Sequence, residues 1–222
     1  MKKLLSIIAI TMLLTGCAIQ RSFPVEYKQG ENPHPPIQKN YLVGVTKWKD
    51  KRAVAQSNDN LGEKAVQRIG PATIGITSKG KDFVRVADFV RDAFIQELRA
   101  AGVNTKEINI IPTVNDINTL SKIAQNNNTD LTITADLLSF DINCNGAWTL
   151  DCSRKVAIML NAVGKNGQPI ITREIFDATY VNNEGAAVLH KTLLDQLTNQ
   201  ALQPVLEKSV DHTIEAINQQ KI

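Results

Sequence analysis

Leu131-Thr132-Ile133-Thr134-Ala135-Asp136-Leu137 alternates apolar and polar residues at every step. That is the period of a strand with one buried face, so Leu131, Ile133, Ala135 and Leu137 point one way and Thr132, Thr134 and Asp136 the other. Further on, Val156 to Val163 is a second β-rich run, and Ile170 to Val181 a third. Between these two stands Lys165-Asn166-Gly167-Gln168. Asn-Gly accepts the positive φ angles of a tight hairpin turn, so the three runs are expected to form an antiparallel meander.

The alternation breaks after Leu137. Leu138, Phe140 and Ile142 fall on the polar face if strict alternation continues. Two readings stay open. A bulge near Leu137 swaps the faces and returns these side chains to the core. Alternatively the strand exposes an apolar strip beside Trp148, and an exposed strip is a place for a partner to bind. Leu138, Phe140 and Trp148 are therefore candidate partner-binding residues. Cys144 and Cys152 flank the same loop, and an even pair in an oxidising compartment suggests a disulfide. Closing so short a loop stabilises by about 2.5 kcal/mol in the chain-entropy model. The rival is two buried free thiols; a redox catalyst needs the closer C-x-x-C spacing.

Upstream, Tyr41 to Val45 reads as the first strand and Ala72 to Thr77 as a strand pairing with it, separated by a long polar loop. Phe83, Val86, Ala87, Val90, Phe94 and Leu98 share a helical face, with Asp82 placed to cap the start and Gly102 to end the helix. Ile108 to Ile111 reads as a short strand. Thr113 and Asp116 open a second helix through Ile117, Leu120, Ile123 and Ala124, closed by Asn126 to Asn128. After the meander, Asn182 or Asn183 caps a helix lined by Leu189, Leu193, Leu197 and Ala201. Pro204 breaks or kinks it, and Leu206, Val210, Ile214 and Ile217 continue the stripe. The expected fold class is α+β: a mixed or antiparallel sheet with a C-terminal meander and helices mainly on one face.

The N-terminal end speaks of address. Lys2 and Lys3 precede an apolar run from Leu4 to Leu14, and Leu14-Thr15-Gly16-Cys17 follows. A basic start, a short apolar run and small residues before the cut mark an export signal. The tetrapeptide resembles a bacterial lipobox, which implies that Cys17 carries lipid and begins the mature chain. The expected organisation is a signal peptide over residues 1–16, the lipidated cysteine with an extended tether over 17–40, and one periplasmic domain over 41–222. The tether reading rests on Pro24, Pro33, Pro35 and Pro36 among polar residues, and a segment that lies on the domain is the alternative. At about 3.1 Å per residue, such a segment would hold the domain tens of ångströms from the lipid. Ala18 in place of an aspartate resembles an outer-membrane lipoprotein.

The whole chain has 25 Lys and Arg against 22 Asp and Glu. Setting Lys2 and Lys3 aside with the leader leaves 23 against 22, too even for a nucleic-acid binder. His34, His190 and His212 lack metal-ligand spacing, and no phosphate loop, dinucleotide fingerprint or nucleophile elbow is present. No metal or cofactor is expected. Asp136, Asp141 and Asp151 could serve a glycosidase if brought to the right separation. Solvated strand and turn acids are the plainer reading. Asp50-Lys51-Arg52 either fixes a turn by a local ion pair or offers a fork to a partner's carboxylate, which adds Asp50 and Arg52 to the candidate contacts.

Taken in order, the Leu14–Cys17 signal, Val43-Gly44-Val45-Thr46 with Asp50-Lys51-Arg52, the helix Phe83–Gly102, Leu131–Phe140, Asn166-Gly167 and Tyr180–Gly185 resemble the YajG family of bacterial lipoproteins. The resemblance covers most of residues 41–218 and carries over no catalytic residue. The Cys144/Cys152 pair and the polar insert after Arg52 depart from the family pattern. The expectation is a non-enzymatic protein-binding or envelope-assembly module, lipid-anchored to the outer membrane and facing the periplasm. Its partner is expected to be an envelope protein or peptidoglycan. The alternative is a cell-wall hydrolase or a regulator of cell-wall synthesis.

Overall fold

The meander forms the long arm of a six-stranded mixed sheet. In the computed structural model, the described residues are 19–57, 60–69, 71–78, 80, 83–185 and 189–219. The expected leader, the lipidation at Cys17 and the Asp82 cap lie outside them.

The arm consists of β7 (Leu131–Asn145), β8 (Asp151–Gly164) and β9 (Pro169–Asn183), all antiparallel. The rest of the sheet is parallel. β2 (Leu42–Thr46) lies between β6 (Asn104–Ile108) and β7, and β3 (Lys49–Asp50) pairs further along β7. The expected strand at Ile108–Ile111 is therefore displaced toward the N-terminus.

The face swap is resolved by a bulge. Leu137 pairs with Ile158 but Ser139 pairs with Ala157, so Leu138 is the extra residue. Beyond it Phe140 and Ile142 rejoin the core with Leu131, Ile133, Ala135 and Leu137. A second irregularity in β9 places Arg173 at φ 51°, and its N–H donates to the Asn161 side chain at 3.0 Å.

The helix α1 (Val86–Ala100) buries Val86, Val90, Phe94 and Leu98 against the sheet. It starts three residues later than expected because Phe83 sits at φ 50°, outside the helical region. Gly102 at φ 82° ends it as expected, with the Val103 N–H returning to the Leu98 carbonyl. The helix α2 (Ile117–Asn127) is capped by Asp116 itself, whose carboxylate accepts the Thr119 N–H at 2.7 Å, rather than from Thr113. It packs on β7 and β8 from the opposite face, burying Leu120 and Ala124 apart from the main core.

At the C-terminus, α3 (His190–Gln196) begins well after Asn182 and Asn183, which belong to β9. Pro204 does not break the run. A π-helical stretch, Leu197–Leu202, joins α3 to α4 (Gln203–Gln219), and the Gln203 N–H reaches back to the Thr198 carbonyl. The wide turn takes up the carbonyl geometry that a proline without an N–H would otherwise disrupt.

Two expectations fail in the first eighty residues. Ala72–Thr77 is β5, but it pairs with β1 (Ile19–Pro24) and β4 (Ala65–Ile69) in a separate three-stranded sheet, not with β2. Residues 19–40 are not a free tether. After β1 the chain runs over α1 and α4, burying Val25 and Tyr27 in the main core. Asn32 donates to Glu207 at 3.0 Å, and Asn218 bonds both the Pro36 carbonyl and the Gln38 N–H. These contacts span more than 170 residues of sequence, so no local pattern announces them.

Candidate functional site

The far end of the β7–β8–β9 arm is built to hold one side chain out. Cys144 and Cys152 face each other in register and are disulfide-bonded. Beyond them the chain turns through Gly146 at φ 148°, where a Cβ would collide with the Thr149 carbonyl oxygen. The neighbouring strand end clasps this turn. Leu150 donates to the Gly185 carbonyl at 2.9 Å, Glu184 to the Leu150 carbonyl at 2.8 Å, and the Asn183 amide to Asp151 at 2.7 Å.

Beneath the turn lies Arg154, whose side chain is fully buried. Its guanidinium donates to the Cys152 carbonyl at 2.7 Å, to Glu184 and to Gln196, and lies 5.4 Å from the Tyr180 ring centroid. One cation thus joins the hairpin, the end of β9 and α3. Nη1 serves the Cys152 carbonyl and Nη2 serves both Glu184 and Gln196. Nothing in the local sequence singles Arg154 out, because its side-chain acceptors lie 30 and 42 residues away.

On this clamped turn Trp148 is 91% exposed, and Val181 on β9 is 64% exposed. The other expected contacts are elsewhere. Phe140 is fully buried and Leu138 half-buried. Asp50 and Arg52 are buried against each other, with Arg52 Nε and Nη2 on the two Asp50 oxygens at 2.9 and 2.6 Å. The remaining Arg52 donors reach the Ala65 and Glu63 carbonyls. The fork is consumed inside the fold and offers nothing to a partner's carboxylate.

The three meander aspartates are not gathered. Asp136 accepts from Asn115 at 2.9 Å, and Asp141 accepts from Ser139. Asp141 stands opposite Lys155, and Asp151 opposite Asn145. At about 3.3 Å per residue these carboxylates are each spaced by more than about 12 Å along the strands, beyond the roughly 5–9.5 Å a glycosidase pair needs. Among the described residues no group of three or more metal-binding side chains is found, and no helix is long and apolar enough to cross a membrane.

A second polar centre sits under the N-terminal segment. Glu97 of α1 is fully buried and accepts from the Tyr27 hydroxyl, the Gly30 N–H at 3.0 Å and His34 Nε2 at 3.0 Å. His34 Nδ1 lies 2.7 Å from Asp211 of α4. Only the imidazolium can donate from both nitrogens. Burial opposes that charge, but the hydrogen bonds to Asp211 and Glu97 outweigh it and raise the His34 pKa. Burial, then the Glu97 hydrogen bond and charge, hold the Tyr27 phenol far above its ordinary range.

A raised histidine pKa contributes stability that is complete below about pH 6.5 and lost as pH rises through the folded value. His34→Gln should therefore cost about 1.5 kcal/mol at pH 5.5, the low end for hydrogen bonds to a charged group. The cost should shrink as the pH is raised. Thermal melts of both proteins across this range measure it, and a constant difference would contradict the assignment.

No family model and no curated protein matches this chain. Among solved structures, it is similar to protein XCC0632 from Xanthomonas campestris, of family model DUF330, at 13% identity and TM-score 0.50, covering 90% of this chain and 97% of that one. It is also similar to hypothetical protein CT253 from Chlamydia trachomatis, at 8% identity, TM-score 0.42, with 81% and 95% covered. A third is lipoprotein GNA1162 from Neisseria meningitidis, at 12% identity, TM-score 0.30, with 71% and 92% covered. Of these three, the first shares the fold; none carries a functional argument at such identities.

Proposed function

We propose that this chain is a lipid-anchored protein of the bacterial envelope, held through Cys17 in the outer membrane and facing the periplasm. It works without catalysis, by presenting the Trp148 turn to an envelope protein. The observation that carries this reading is a nearly fully exposed tryptophan on a turn clamped by a disulfide and by the buried Arg154. An exposed indole is costly to leave in water and is the side chain most enriched in binding hot spots. A rigid mount lowers the entropy lost on association. The lipobox and the YajG resemblance support the address, and a disulfide suits an oxidising compartment. Asp136, Asp141 and Asp151 stand too far apart to serve the hydrolase alternative as a pair.

A photo-crosslinker at position 148 in intact cells should give one discrete protein adduct, identifiable by mass, where the same probe at Asn166 does not. With that partner purified, Trp148→Ala should weaken binding about 30-fold, the equivalent of a 2 kcal/mol hot spot. No adduct at 148, or unchanged affinity, would sink the assignment.

A further inference from the structure

The end of the three-stranded sheet nearest Cys17 carries an apolar row. In the pairing register, Ile19 of β1 lies beside Ala72 of β5, and Ala72 beside Ile69 of β4. Cross-strand partners share a face, so the three side chains stand together. Ile19 is 46% exposed and Ile69 48%. The Ile19 N–H donates to the Pro71 carbonyl at 3.2 Å, so the pairing holds to the last residue of the strand. Arg21, two residues along β1 from Ile19, shares the row's face and is exposed.

Chain length places this row. One residue, Ala18, separates Cys17 from Ile19. Consecutive Cα atoms are about 3.8 Å apart, so the Cys17 Cα lies no more than about 7.6 Å from that of Ile19. Acyl chains on Cys17 must enter a bilayer, and the row then stands at headgroup depth, roughly where amphipathic surfaces bury their apolar side. The Arg21 guanidinium suits a phospholipid phosphate. From the row, and resting on the reading of Cys17 as lipidated, we infer that Ile19, Ala72 and Ile69, with Arg21, seat on the phospholipid leaflet that holds the anchor. The domain lies against the membrane, with no spacer between lipid and sheet.

The test uses the full lipidated protein, purified from cells and reconstituted in phosphatidylethanolamine/phosphatidylglycerol vesicles carrying a shallow nitroxide lipid. A fluorophore is attached at Ile69→Cys, a half-exposed position outside the core, or at Asn166→Cys in the β8–β9 turn as control. Intact mass reports both the acyl chains and the Cys144–Cys152 disulfide. The expected result is several-fold stronger quenching at 69 than at 166. Equal quenching on protein whose mass shows the acyl chains overturns the seat and leaves the anchor intact. Energy transfer between labels in nitroxide-free vesicles would mark a second copy on the row, and also overturns it. A mass without acyl chains removes the anchor, and the seat with it.

Discussion

Asp50→Ala should lower the unfolding free energy by about 3–5 kcal/mol, the usual cost of stranding one member of a buried ion pair. The Arg52 guanidinium has no solvent to turn to, because its side chain is fully buried. It would keep its bonds to the Ala65 and Glu63 carbonyls and lose both carboxylate oxygens. Those carbonyls belong to the insert after Arg52, so the insert should loosen too. The double variant Asp50→Ala/Arg52→Met separates charge from shape. An apolar side chain of similar length removes the stranded charge and should recover much of the loss. Urea denaturation of the three proteins measures this, and a single-variant loss below about 1 kcal/mol would place the pair in water instead.

Phe140→Ala should cost about 3–5 kcal/mol, as other buried phenylalanines do, whereas Trp148→Ala should stay within about 0.5 kcal/mol of the parent. Phe140 is fully buried, with its ring edge-on to Phe89 at 6.3 Å between centroids. That contact exists because Leu138 is the extra residue in β7. Without the bulge, Phe140 would face outward and its truncation would be nearly silent. Comparing the two variants by chemical denaturation therefore reads the bulge directly. A small loss for Phe140→Ala would reverse the faces of the distal arm.

Local signals were legible where the chain's own backbone settles the matter. Period-two alternation from Leu131 and the Asn166-Gly167 turn specified the meander, and Gly102 and Asn128 closed their helices at positive φ. The Cys144–Cys152 pair was legible because both residues flank one hairpin. The bulge was legible only as an alternative, since a face swap and an exposed strip have the same sequence pattern. Residues 19–40 are left open by their sequence, because a proline-rich, aperiodic stretch is the same whether it is solvated or packed. Tyr27, His34 and Asn32 find their partners on α1 and α4, far along the chain. The fate of Asp50 and Arg52 was likewise undetermined: the ion pair could be read locally, but its burial depends on β4 and the insert folding over it.

The amino-acid sequence alone determined the antiparallel arm, the C-terminal ends of α1 and α2 and the short disulfide loop, because each depends on dihedral preference or on residues a few positions apart. The tertiary structure alone decided that β1 joins a second sheet, that His34 bridges two helices, and that Phe140 is core while Trp148 is surface. Those outcomes depend on which distant surfaces exclude water from which side chains, and burial is a property of the assembled chain that no single segment contains.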